Sequence, residues 1–130
     1  MAQENPYAAR PWHQYYHDVP HEIDPDQYGN MIDYLRRCFD LFKDQVAFEN
    51  MGKTMTYQEV DHLSRDFAAW LQQRGLQNGD RIAIQMPNLL QFPIALFGAI
   101  RAGLIVVNTN PLYTTQEMAH QFKDLSLIHI

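Results

Sequence analysis

The chain has 130 residues, 46% of them hydrophobic, which is enough for one modest domain with a core and excludes a disordered tail. Its formal net charge of -5 comes from 10 basic and 15 acidic residues, and the basic ones are scattered. That distribution excludes the concentrated Lys/Arg field on which nucleic-acid and anionic-membrane surfaces depend.

Residues 1–27 carry Pro6, Pro11, Pro20 and Pro25 among Trp12, Tyr15 and Tyr16, a composition that predicts an extended arm lying on another surface. The start lacks the basic patch and apolar run of a signal peptide. No apolar stretch approaches the roughly 20 residues of a membrane helix. His13, His17 and His21 recur every four residues, the step that would align metal ligands on a helix, but Pro20 and its proline-rich surroundings argue against a helix there. Asp18 and Glu22 have no cleft in which to act as an acid/base pair.

Asn30 can cap a helix in which Met31, Ile32, Leu35, Phe39 and Phe42 line one face, ending near Lys43. Cys38, inside that helix, is the only cysteine, so no intrachain disulfide can form; a packing role and a reducing, cytosolic setting are expected. Residues 46–50 and 54–56 flank Met51, Gly52 and Lys53 and predict a hairpin turning at Gly52. Thr56 and Glu59 have the spacing of a capping box, so a helix starts there, with Val60, Leu63, Phe67, Trp70 and Leu71 on its inner face and Gly75 at its end. Asn78, Gly79 and Asp80 form a turn and residues 81–85 a strand. An almost wholly apolar helix over 89–102 follows, stopped by Gly103; it demands burial on more than one side. Residues 104–108 read as a strand, and Thr114 with Glu117 repeats the capping box for a helix through Asp124. The alternation of strand and helix from residue 81 onward predicts an α/β fold with a parallel sheet covered by helices. Gly98 and Gly103 have the separation found in a phosphate loop, but Leu104 and Ile105 stand where Lys and Ser/Thr are required, so that motif is absent.

Three blocks resemble the adenylate-forming, or AMP-binding, superfamily. They are Met55-Thr56-Tyr57-Gln58-Glu59-Val60; Gly79-Asp80-Arg81-Ile82-Ala83-Ile84 with Met86-Pro87-Asn88; and Arg101-Ala102-Gly103-Leu104-Ile105-Val106-Val107-Asn108 with Asn110-Pro111-Leu112-Tyr113-Thr114. Residues 87–97, the Asn-Pro-Leu-Tyr-Thr block and residues 19–25 are most similar to the bacterial long-chain fatty-acid CoA ligases. The resemblance covers residues 12–124 and implies a division into three parts. These are an arm over 1–27, an incomplete N-terminal portion of the AMP-binding large domain over 28–124, and a tail over 125–130 that departs from the family pattern. It also implies ATP and magnesium, with fatty acid and CoA as further substrates, for a larger parent enzyme that makes acyl-CoA through an acyl-adenylate. Attachment of that parent to the inner membrane, and a homodimer, are left open. The family's phosphate loop, nucleotide motifs and mobile lysine sit further along its sequence, so no catalytic, cofactor-binding or metal residue is assigned to this stretch, which is expected to be inactive scaffold. Asn108 to Tyr113 lies beyond the carboxyl end of a strand, where such sheets bind ligands, but turn and loop geometry accounts for these residues.

Where the family continues with small residues and an apolar strand, the chain reads Leu125-Ser-Leu-Ile-His-Ile130, which is similar to a translated sequencing adaptor. A gene truncated by an assembly artefact is the expectation, and a genuine strand the alternative. The competing functional reading is a non-catalytic protein-interaction module that uses the exposed face of an unfinished sheet.

Overall fold

The computed structural model describes Tyr7 and residues 9–125; the first six residues and Ala8 of the arm, and 126–130 of the tail, lie outside the described residues. Within the arm, Pro11–Tyr15 forms a short 3-10 helix, with Pro11 at the position where a missing N–H is tolerated. The path then doubles back, so that His13 meets His21. The prolines exclude a regular helix here, as the sequence suggests, yet they permit this tight turn.

Helix α1 spans Met31–Phe42, and the Asn30 side chain accepts from the backbone N–H groups of Ile32 at 2.9 Å and Asp33 at 3.0 Å. Strands β1 (Val46–Asn50) and β2 (Lys53–Thr56) form an antiparallel hairpin in which Asn50 faces Lys53. Its turn uses left-handed backbone at both Met51 (φ 50°) and Gly52 (φ 74°), the combination whose twist matches that of the flanking strands. Helix α2 (Tyr57–Gln73) starts at a complete capping box. The Thr56 hydroxyl accepts from Glu59 N–H, and the Glu59 carboxylate accepts from Thr56 N–H at 2.7 Å.

Strand β3 (Arg81–Ile84), helix α3 (Gln91–Arg101) and strand β4 (Ile105–Asn108) then build a parallel unit, with Arg81 opposite Ile105 and Ile84 opposite Asn108. Helix α4 (Thr115–Asp124) repeats the capping box with Thr114 and Glu117. The α/β order expected from residue 81 onward is therefore present. Helix α3 begins two residues later than its apolar run, because Asn88 to Leu90 form a turn with Leu89 N–H bonded to the Pro87 carbonyl.

The core has two parts. Ala68, Leu71, Ile82, Ala99, Ala102 and Leu104 pack between α2, α3 and the parallel strands. Leu35, Phe39, Met55 and Val60 pack between α1, the hairpin and α2, with Ile94 and Phe97 of α3 against them. Helix α3 contributes to both, so its all-round apolarity is explained by two packing partners. The inner face of α2 differs from the expectation. Val60, Ser64, Ala68 and Leu71 are buried, whereas Leu63 and Trp70 are 41% and 40% exposed. The helices approach through small residues: a β-carbon on Gly98 would lie 2.9 Å from the Ser64 carbonyl oxygen and 2.8 Å from Phe67 Cδ1. That close approach turns the stripe of α2 toward Ser64 and Ala68 and leaves the larger Leu63 and Trp70 at the margin.

Candidate functional site

Polar groups gather at two places. The first is a cleft of about 690 Å³ lined by α1, α2 and the end of α3, where Arg36, Asp40, Asp61, Arg65, Asp66 and Arg101 converge. The Asp61 carboxylate accepts from both Arg65, one helical turn along α2, and Arg101 at the end of α3. The Arg101 side chain is only 9% exposed and its guanidinium stands over the Phe39 ring, 5.1 Å from the centroid. Ser64, fully buried beside it, donates its hydroxyl to the Asp61 carbonyl at 3.1 Å. Two guanidinium groups share one carboxylate, so Asp61 is committed to holding α2 against α3 and has little capacity left to act as a base or a metal ligand.

The second place is the carboxyl edge of the parallel pair. Thr109 follows β4 directly, is 4% exposed and donates its backbone N–H to the Ile84 carbonyl at 3.0 Å. The Gln85 amide donates to the Asn110 carbonyl at 3.3 Å, and the Asn110 side chain accepts from Leu112 N–H. These bonds brace the loop from Thr109 to Tyr113 where it leaves the sheet. A separate apolar hollow of about 290 Å³ lies between β1 and α3, where Phe48, Leu89, Phe92 and Leu96 meet and the Asn50 amide donates to the Asn88 carbonyl at 3.0 Å.

Among the residues weighed from sequence, His13 and His21 come together with ring centroids 4.5 Å apart, brought there by the doubled-back arm. Glu22 pairs with Arg10. Among the described residues no cluster of three or more His, Cys, Asp or Glu side chains is placed to hold a metal ion. Gly98 lies within α3 and Gly103 ends it at φ 80°, so neither belongs to a phosphate-binding loop. Cys38 is a half-buried free thiol on α1. The cluster that sequence reading missed is the one around Asp61. Its local pair was visible, since Asp61 and Arg65 stand four residues apart on a helix. Arg101, forty residues away in sequence, carried no such signal.

A parallel β3–α3–β4 unit with capped helices and a preceding hairpin defines an α/β protein. The chain belongs to the AMP-binding enzyme family, whose model matches residues 35–127. It is 55% identical over 114 residues to a long-chain-fatty-acid CoA ligase of Yersinia pestis, covering 87% of this chain and 20% of that protein. It is also 55% identical over 108 residues to the corresponding ligase of Escherichia coli O6:H1, covering 82% of this chain and 19% of that protein. Among solved structures, a benzoate CoA ligase from Burkholderia xenovorans LB400 superposes with a TM-score of 0.71 at 26% identity, covering 75% of this chain and 20% of that one. The chain spans about a fifth of the length of these relatives.

Proposed function

We propose that this chain is the amino-terminal portion of an ATP-dependent long-chain fatty-acid CoA ligase, with residues 28–124 serving as scaffold of its large domain and residues 1–27 as an arm lying against it. The observation that carries the proposal is the 55% identity to the Yersinia pestis ligase across 87% of the chain. In the proposed reaction a fatty carboxylate attacks the α-phosphorus of ATP and pyrophosphate leaves. The CoA thiol then attacks the acyl carbon and AMP leaves.

Among the described residues, the buried carboxylate and the glycines of this stretch do not suit magnesium or the nucleotide phosphates. The most buried carboxylate at the charged cleft, Asp61, already accepts from two arginines, and the glycines nearest a phosphate-loop spacing lie in and at the end of α3. No step is therefore routed through these side chains. Their part is to hold α1, α2, α3 and the parallel strands in fixed relation. A cytoplasmic setting belongs to the same proposal and is supported by a single free thiol that leaves no disulfide in this stretch.

The test is to express the gene with its downstream sequence and to supply ATP, magnesium, CoA and palmitate. Release of AMP and pyrophosphate with formation of palmitoyl-CoA is expected. A clear preference for acetate or an aryl acid would move the protein to another branch of the family. The 130-residue chain assayed in the same way is expected to form no AMP, and measurable AMP would place catalytic residues within it.

A further inference from the structure

The doubled-back arm is held by a compact set of rings and charges. His13 and His21 lie against each other in a tilted contact, with centroids 4.5 Å apart and an interplanar angle of 31°. Tyr16 packs on both rings, at 5.5 Å from His13 and 6.0 Å from His21, and Trp12 meets His13 edge-on at 6.2 Å. Tyr7 adds a contact to Trp12 at 6.0 Å. The charged group facing the pair is Arg10, which is itself paired with Glu22 one residue after His21. The two ends of the turn, at residues 10 and 22, are thus tied by an ion pair and its middle by two imidazoles.

We propose that residues 10–22 form a pH-sensitive clasp: the neutral His13 ring lies against His21 and keeps the arm folded back, and a proton taken up by His13 drives the rings apart and opens it. A charged His13 ring is disfavoured by the rings packed on it, and Glu22, the carboxylate paired within this turn among the described residues, is already engaged by Arg10. His13 is held below the ordinary imidazole value of 6.5, first by the rings packed on it and then by the charges of His21 and Arg10; a backbone hydrogen bond with His21 opposes this. The sign follows from that direction. The clasp is complete above 6.5, weakens as pH falls below 6.5, and is open once pH has passed the lowered value of His13.

The test is an NMR titration of the full chain that follows the His13 ring protons together with the through-space contacts between the His13 and His21 rings. His13 is expected to titrate below the ordinary value, with the inter-ring contacts vanishing across the same transition. His21→Gln should move the His13 titration upward, whereas His17→Gln should leave it in place. All of these positions lie in an exposed arm, so the substitutions leave the core intact. The proposal is overturned if His13 is unmoved by His21→Gln, or if the ring contacts survive in acid once His13 is charged.

Discussion

Gly98 has no room for a methyl group, because its β-carbon would stand 2.8 Å from Phe67 and 2.9 Å from a backbone oxygen that cannot retreat without moving α2. Gly98→Ala is accordingly expected to lower stability by about 1–3 kcal/mol in urea denaturation, the usual cost of overpacking. The Asp61 cluster gives an asymmetric pair of outcomes. Asp61→Asn strips Arg101 of its carboxylate while the guanidinium remains buried, and a loss of about 3–5 kcal/mol is expected. Arg101→Met keeps the apolar contact with Phe39 and leaves Asp61 with Arg65, so the loss should be clearly smaller. Equal losses in the two variants would show that the buried charge does not govern this contact. At this scale the sequence was informative where chemistry is local, as with Asn30 as a cap or the failed phosphate-loop match at Leu104. It was silent where a partner comes from a distant helix, as Arg101 does for Asp61, since no periodicity records a contact across forty residues.

The helix starts were readable because a capping box is a contract between residues three apart. Thr56 with Glu59 and Thr114 with Glu117 both close as the spacing implies. Thr56→Ala should cost about 1 kcal/mol, measured as a lowered urea midpoint with unchanged slope. Glu59 also brings a pH dependence. The Thr56 backbone N–H, and then its hydroxyl, hold the Glu59 carboxyl below its ordinary value of 4.5. A depressed carboxylate stabilises the fold at pH above its unfolded value, and that contribution is lost as pH falls from about 4.5 through the lowered value. Stability measured from pH 6 downward should therefore fall less steeply in Glu59→Gln than in the wild type over that window; identical slopes would show that the box carries no proton linkage. The faces of the helices were harder to read than their ends. Leu63 and Trp70 have the right period for the inner face of α2, but small residues at Ser64, Ala68 and Gly98 let α3 come so close that the buried stripe is centred on them. Hydrophobic spacing ranks a face by size of side chain, while close helix packing ranks it by smallness.

Two small cores share α3, and each two-stranded sheet has edges that no described strand pairs. Exposed edges and half-covered apolar faces favour association, so the 130-residue chain alone is expected to self-associate in sedimentation velocity and to bind a hydrophobic dye such as ANS. A monodisperse monomer with a single sharp thermal transition would instead favour an independent interaction module. The parallel unit also has a consequence for the order in which the molecule is made. From Arg81 to Asn108 it closes both strands and their connecting helix within 28 consecutive residues. At about 5–20 residues per second, a ribosome delivers that stretch within a few seconds. The pair can thus take shape as it emerges, and any strand synthesised afterwards meets an edge already in register, so the sheet would lengthen by accretion onto a finished seed.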